Sequence, residues 1–534
     1  MLSSRNVAGI EIFRASADHE DRIYKRIKGA VFSQFTPGLY TDRAVIVKIV
    51  NLMYEEYYAI LDEYLPKVSP RDFVSYLVTE YERYGQVSDA YKRHKLSKDE
   101  EDLWQPYALH ARRGIKHVLE LLCRSGMEAG KVAKTKEEQE DAISMVFIAA
   151  EELVSLYMRS DNYNGFLSEV TLTLDPNQFT YFHVEEDGKL RFDIRESVRD
   201  LEKYVPSPMF LQDMETHAEI LDASFLETLG LSYKETLQTL GWIIDHYSDK
   251  DDPEALGTFI WKEAIDTIVL NFRITQEQAE LLLSGFSLSA KSMEERELFR
   301  PKQEYRAYKR AFFKDPIDGV DWVFFSRRMA LESLNILIAD VAFKKLPPEW
   351  HSVSIKKALD VLSLEAGRWF EHVLEQNLER LGIAGSPSIK TLSLGDGQTL
   401  KIPPEVGEID FLGFDEGQKL LVIIEAKQVG FATEPRMFRD DQSKFIDSSN
   451  NYSSKFIKKY HWVIENLESV QKHFAHQFNL NTKLELAGYA MITLYPTIVS
   501  TKIKDFSCVS ISEFMNKSQG SNTWPFSKTL LRKP

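Results

Sequence analysis

Five consecutive apolar residues, Leu420-Leu421-Val422-Ile423-Ile424, run without interruption into Glu425-Ala426-Lys427. An apolar run without polar alternation is the pattern of a strand covered on both faces. Side chains alternate along a strand, so Glu425 and Lys427 share one face. Upstream, Glu408-Ile409-Asp410-Phe411-Leu412 alternates polar and apolar residues, which puts Glu408 and Asp410 on one face as well. Residues 415–418 between the two segments read as a turn. A simple hairpin centred on Glu416 and Gly417 sets Glu408 opposite Glu425, with Asp410 diagonal to it. Like charges facing each other across a ladder destabilise it by up to about 1 kcal/mol. A divalent cation is the natural offset, and magnesium favours a few carboxylate oxygens while keeping waters.

A helix is predicted ahead of this strand pair, over residues 363–381, with Leu364, Phe370, Val373, Leu374, Leu378 and Leu381 on its apolar face. Glu371 lies on the stripe Leu364, Gly367, Glu371, Leu374, Leu378, and a carboxylate among apolar neighbours requires a partner. Gly367, one turn earlier, costs about 1 kcal/mol in a helix interior. Its bare backbone offers a place for a strand or a phosphate to approach. Residues 489–494 and 506–511 are apolar enough for further core strands, with a helix predicted over 455–474 between them. Helix, strands, helix, strands is the order of a mixed α/β domain.

Taken together, Gly367-Arg368-Trp369-Phe370-Glu371, Glu408-Ile409-Asp410 and Glu425-Ala426-Lys427 resemble the PD-(D/E)XK nuclease superfamily, which includes many restriction endonucleases. The resemblance covers about residues 355–515. It departs from the commonest pattern in having Ile409 before Asp410, and it has Ile446 where one exonuclease branch, matched by Gln442, carries a tyrosine. The resemblance implies a restriction-endonuclease-like fold, a central mixed sheet flanked by helices. It also implies a site in which Asp410, Glu425 and the backbone carbonyl of Ala426 ligate magnesium, manganese being a substitute. Glu371 completes that site directly or through water, and Lys427 orients or helps deprotonate the attacking water. Glu408 is an additional candidate ligand, and Gln442 and Lys444 are candidate nucleic-acid contacts. The implied activity is metal-dependent hydrolysis of phosphodiester bonds in DNA, in the setting of bacterial defence against phage or foreign DNA. A nuclease of RNA or repair intermediates, and a non-cleaving nucleic-acid-binding or scaffold protein, remain as alternatives. Singly, each residue also suits an ordinary strand end, turn or wet helix face.

The 534 residues suffice for two to four domains. The first 165 residues read as a helical domain, with the clearest periodicity at 43–65, 114–123 and 138–158. Residues 166–345 read as a second helical domain with small β-hairpins. One hairpin is placed at 179–194 around Asp187-Gly188, and another at 305–325 around Asp318-Gly319. Helices are predicted over 233–247 and 254–272, and Thr275 with Gln278 forms a capping-box pattern. The break Leu346-Pro347-Pro348 separates these from the nuclease-like domain at 350–534. Within the second hairpin, Arg306, Lys309 and Arg310 mix with aromatic residues, a composition suited to phosphate contact with base stacking.

Net charge is −15, which argues against indiscriminate coating of nucleic acid. The excess is uneven, because residues 351–534 hold 22 Lys+Arg against 21 Asp+Glu and the first 350 hold 44 against 60. That excess reads as a solvated acidic helical surface; separately, a protein partner or a homo-oligomer is expected to form through the helical N-terminal region. Cys123 and Cys508 are the only cysteines, so a disulfide framework or cysteine zinc site is excluded and a reducing cytoplasm fits. No apolar stretch reaches the eighteen or so residues that a membrane-spanning helix needs, no secretion-signal pattern opens the chain, and no P-loop or H-E-x-x-H motif occurs.

Overall fold

The computed structural model describes residues 2–108, 110–125, 132–161, 170–177, 181–183, 200–207, 209–249, 256–293, 303–432, 434–521 and 523–531. The chain gathers into two compact units. Unit 1 comprises Met1–Glu185 and Met214–Leu359, and unit 2 comprises Glu186–Asp213 and Asp360–Pro534. The boundary after Leu359 falls inside the long helix Val353–Arg380 rather than at the proline break. Among the described residues no helix is long and apolar enough to cross a membrane.

Unit 1 is mainly helical. The helix Arg43–Tyr64 buries Ile46, Ile49, Val50, Met53, Tyr57, Ile60 and Leu61, at the three- and four-residue spacings that line one face. Asp42 caps it by accepting from the Ala44 amide, and it packs on the helix Lys136–Asp161. The periodic segments at 43–65, 114–123 and 138–158 thus fall in observed helices. The first residues do not: Ser3–Val7 pairs with Ile10–Arg14 in an antiparallel hairpin. Its two-residue turn, Ala8 and Gly9, has φ of 55° and 78°, the geometry that matches strand twist.

The second part of unit 1 is built round a four-stranded sheet, in the order Leu256–Ile260, Val320–Ser326, Phe312–Ile317, Ser287–Ser289. Asp318 and Gly319 turn its central hairpin at φ 52° and 78°. The first strand of that hairpin begins only at Phe312, because Gln303–Tyr305 form a 3-10 helix and the Lys309 and Arg310 amides donate to the Arg306 carbonyl in a turn. The segment 254–272 is likewise not one helix. Its start forms the strand Leu256–Ile260 beside Val320–Ser326, where a Cβ on Gly257 would meet the Phe325 ring at 2.0 Å. The helix proper is Trp261–Phe272. The Thr275–Gln278 capping box is present. Of the hairpin expected at 179–194, only Tyr181–His183 lies within the described residues, where it pairs with Thr171–Leu174.

Unit 2 is a mixed sheet with flanking helices. Helix α1 (Val353–Arg380) leads into β1 (Ala384–Ile389), β2 (Ile409–Asp415) and β3 (Leu420–Lys427). Helices α2 (Pro435–Gln442), α3 (Tyr452–Glu465) and α4 (Leu467–Phe478) follow. Strand β4 (Leu486–Thr493), β5 (Ser507–Ser510), helix α5 (Ile511–Gln519) and β6 (Lys528–Leu530) complete it. The sheet order is β1-β2-β3-β4-β5, with β6 on β4. Pairing is antiparallel from β1 to β3 and parallel from β3 to β5. Leu420 to Ala426 are all buried along β3, as an uninterrupted apolar run requires. The helix expected over 455–474 is two helices, broken at Asn466.

Residues 200–213 belong to unit 2 and are tied to it by polar bonds. The Asn377 amide donates to the Tyr204 carbonyl at 2.8 Å. The Tyr204 hydroxyl donates to Asn516 Oδ1 at 2.5 Å, and Asn516 donates to Asp200 at 2.9 Å. The Phe210 ring stacks on Trp369, with centroids 6.1 Å apart.

Candidate active site

The observed register of the β2–β3 hairpin decides which carboxylates meet. Asp415 pairs with Leu420 and Phe411 with Ile424, so one further step brings Asp410 across from Glu425. The turn therefore spans residues 416–419 rather than closing on Glu416 and Gly417. Asp415 holds it by accepting from the Gln418 amide at 3.0 Å, and Lys419 takes the left-handed φ of 51°. Glu408, expected opposite Glu425, lies instead beyond the end of β2 and pairs with Lys390 at 3.0 Å. It is not paired across the ladder with Glu425.

Asp410 and Glu425 are 8% and 2% exposed, and two facing carboxylates at that depth require positive charge beside them. Lys427 supplies part of it, with Nζ 2.7 Å from Glu425 Oε1 and 3.1 Å from Asp410 Oδ2. The same ammonium donates to the Ala426 carbonyl at 2.9 Å. The Ala426 amide donates to Asp410 Oδ2 at 2.9 Å, which locks the carboxylate against β3. The remaining charge comes from a residue absent from the sequence-based set. Lys459 of α3 places Nζ 2.8 Å from Asp410 Oδ1 and 2.5 Å from Glu425 Oε2, and it is only 7% exposed. Each of the four carboxylate oxygens thus faces an ammonium group.

Electrostatics follow from this packing. Burial pushes the Asp410 carboxyl up, but Lys427 and Lys459 outweigh it and hold the group below the usual aspartate range. Burial pushes the Lys427 ammonium down, yet Glu425 and Asp410 prevail and hold its proton more firmly than usual. Glu371 differs. Burial raises its carboxyl above the ordinary glutamate value, and the nearby charges of Asp410 and Glu408 add to this against a hydrogen bond from Ser388. Ser388 Oγ donates to Glu371 Oε2 at 2.7 Å, from a residue with φ of 53° in β1. Glu371 therefore senses the cluster by charge but does not join it. Gly367, one turn away, faces open space, since a Cβ there would meet nothing within 4 Å. Among the described residues no strand closes on it.

The donor set suits a hard divalent cation in chemistry. Asp410, Glu425 and the Ala426 carbonyl are the oxygen ligands that magnesium or manganese takes together with waters. In charge the pair is already balanced by two ammonium groups. Among the described residues no group of three or more His, Cys, Asp or Glu is gathered closely enough to hold a metal, so Glu371 is not a third carboxylate at the pair.

Comparison of the chain with protein-family models, with curated proteins and with solved structures gives no match. The site is therefore characterised by its own geometry.

Lys459 had a sequence signal. Helix α3 buries Phe456, Lys459, Trp462 and Val463, so a lysine interrupts an apolar stripe, where a lone ammonium requires anionic partners. Asn451 fixes where that helix starts: its side chain accepts from the Ser454 amide at 2.7 Å and donates to the Ile446 and Ser448 carbonyls.

The expected nucleic-acid contacts fare differently. Arg310 is 1% exposed. Its guanidinium forks onto Glu349 at 3.0 and 2.6 Å and also donates to the carbonyls of Glu304, Ser284 and Ser287. Arg306 pairs with buried Glu120 at 2.9 Å, and Lys309 pairs with Asp340 at 2.8 Å. All three are engaged in ion pairs within unit 1, Arg310 buried and Arg306 and Lys309 partly exposed. In unit 2, Gln442 donates to Asp447 and accepts from Lys502, both at 3.0 Å, and Lys444 is exposed.

Proposed function

We propose that this chain is a divalent-metal-dependent nuclease of the PD-(D/E)XK type that hydrolyses phosphodiester bonds of DNA. The observation that supports this reading is the convergence of Asp410, Glu425 and Lys427 at the ends of two adjacent strands, beside the Ala426 carbonyl. On this reading the mixed sheet of unit 2 is a restriction-endonuclease-like core. Asp410, Glu425 and the Ala426 carbonyl hold magnesium, or manganese in its place. When bound, the cation lowers the pKa of a water and offsets charge on the phosphate. Lys427 stays protonated beside its carboxylates and steadies the charge that develops on the scissile phosphate. Glu371, half-buried and facing the cluster's charge, orients water at its edge. Lys444 lies on an exposed part of unit 2 and takes phosphate contacts that weaken with salt. A helical unit 1 with acidic excess recognises a trigger, a protein partner or a second copy, or restrains the nuclease. Defence of a bacterial cytoplasm against phage or foreign DNA is the setting that fits.

One observation favours a second reading, a non-cleaving protein that keeps the fold: Lys459 neutralises the pair between which a cation would bind. Incubating plasmid DNA, single-stranded DNA and structured RNA with the purified chain and magnesium decides between them. Cleavage of DNA by the parent, lowered at least about 10²-fold by Asp410→Ala and by Lys427→Ala, is the expected result. Equal cleavage by all three proteins refutes the site, cleavage of RNA alone replaces the substrate, and DNA binding without cleavage supports the second reading.

A further inference from the structure

We propose that the aromatic cavity between α3, β4 and the residues leading into β5 is a nucleobase subsite, which takes an unpaired base of single-stranded DNA beside the Asp410 and Glu425 pair. This rests on the nuclease reading given above and names the form of DNA that reaches the pair.

The cavity encloses about 390 Å³, and its lining includes Phe456, Tyr460 and His461 of α3, Tyr489 of β4, and Asp505 and Phe506 just ahead of β5. That volume falls within the range of about 300–1,000 Å³ that small-molecule sites occupy. The lining rings pack on one another. Phe456 meets Phe506 edge-on with centroids 4.9 Å apart, Tyr460 lies 4.3 Å from Tyr489, and His461 is 5.5 Å from Tyr460. Phe456 and Phe506 are buried, whereas Tyr460, Tyr489 and His461 keep part of their surface open. Clustered aromatic surface at the wall of a cavity is the feature on which bases stack, whatever their sequence, because every base has a π-face.

Position ties the cavity to the carboxylate pair. Ile423 pairs with Tyr489 and Glu425 with Met491 in the parallel ladder. Alternation therefore puts Tyr489 on the Glu425 face, two residues or roughly 7 Å back along the sheet. Tyr460 directly follows Lys459, whose ammonium touches Glu425. A base held here sets its own backbone about one or two nucleotide steps from the pair. Charge at the rim decides that a base enters and not a phosphate. The exposed Asp505 carboxylate repels phosphate but accepts N–H groups from a base edge. Lys458, one turn before His461 on α3, and Lys504, next to Asp505, are exposed. Neither forms an ion pair among the described residues, so both are left to take the flanking phosphates. A base inside a duplex reaches such a cavity only by unstacking, at a cost that a single strand avoids.

Fluorescence anisotropy on the full chain in EDTA measures binding apart from cleavage, using a short labelled DNA strand, its duplex and the RNA strand of the same sequence. The DNA strand should bind at least about ten-fold tighter than the duplex. Tyr460→Ala and Tyr489→Ala should each weaken it at least about five-fold, while Tyr460→Phe keeps parent-like binding. Lys458→Gln combined with Lys504→Gln, both at exposed positions, should weaken binding and flatten its salt dependence. Parent-like binding by both alanine variants, equal affinity for the duplex, or preference for the RNA strand overturns the subsite. Cleavage that Asp410→Ala abolishes, together with unaltered binding in the tyrosine variants, overturns the subsite and leaves the nuclease reading standing. Ring-dependent binding by a chain that cleaves no DNA in magnesium supports the subsite and removes the nuclease reading. A measurement on the parent alone removes dependence on the variants' folding. A DNA strand carrying 5-iodouracil, irradiated in the complex, should cross-link to Tyr460, His461 or Tyr489, as read by peptide mass spectrometry. Cross-links confined to other segments overturn the proposal.

Discussion

Both units bury opposite charges, but they use different cations to do it. In unit 1 arginine supplies the cation in these pairs, with Glu120 buried and Glu151 and Glu349 partly exposed. Arg14 forks onto Glu151 at 2.5 and 2.7 Å, Arg310 forks onto Glu349, and Arg306 reaches Glu120. These pairs join segments distant in sequence. In unit 2 the buried pair Asp410 and Glu425 is held by two lysines at the end of one hairpin. A guanidinium is planar, permanently charged and bonded in two directions, so it fixes geometry. An ammonium is a point charge. The contrast teaches that forked arginines tie distant segments of unit 1 together, whereas in unit 2 two point charges gather round one deeply buried carboxylate pair.

The largest effect should come from breaking a scaffold pair. Arg310→Met leaves Glu349 without its fork and three carbonyls without their donor. A loss of about 3 kcal/mol is expected, chiefly from the carbonyls left without their donor, because Glu349 itself is partly exposed. Denaturant unfolding should show this loss in EDTA and in Mn2+ alike. Rescue of Arg310→Met by Mn2+ would erase the distinction between the units.

A smaller effect is expected where unit 1 departs from its own rule. Lys116 shares Glu332 with Arg112, which has the closer contact, while Lys116 stays 3.8 Å away. Burial pushes the Lys116 ammonium down to about 8, against the pull of Glu332. The folded chain then holds this proton less tightly than the unfolded chain does. Its burden on stability is full below about 8 and vanishes as pH rises toward the ordinary 10.5, so stability increases over that interval. Lys116→Met should gain about 1–3 kcal/mol at pH 7 and lose the rise above pH 8. A parent whose melting temperature only falls between pH 8 and 10 would count against this.

The smallest effect concerns Glu371, whose carboxyl is raised first by burial and then by Asp410 and Glu408. Its charged form is disfavoured in the fold, so Glu371→Gln should be slightly stabilising in EDTA. Solvent screening of this half-exposed group keeps the gain well under about 1 kcal/mol. Cleavage should fall in the same variant. A clear loss of stability would instead make Glu371 part of the scaffold, with its bond from Ser388 as the structural contact.

How far the sequence reached can be judged element by element. The run at 420–424 is a fully buried strand, and the period-3.6 segments of unit 1 are helices. These succeed because one apolar face at the right period has few ways to be buried. Segment 254–272 misled because Gly257, Phe259 and Ile260 suit either period, and pairing with Val320–Ser326 decided in favour of a strand. Arg306, Lys309 and Arg310 are found in ion pairs for which their sequence carries no signal. Basic residues among aromatics have the composition of a phosphate-binding surface and of a buried clamp alike, and only their partners tell the two apart.

At the site, local alternation alone put Glu425 and Lys427 on one face and Asp410 on the neighbouring strand's face. That much is set by the two-residue period of an extended chain. The tertiary structure decided the rest. The span of one turn chose Asp410 over Glu408 as the partner of Glu425, because pairing register depends on how a loop closes. Docking of α3 brought Lys459 to a pair of carboxylates 34 and 49 residues earlier in the chain. No local pattern specifies that meeting, since a buried charge finds its counter-charge through packing of whole elements and not through sequence neighbours.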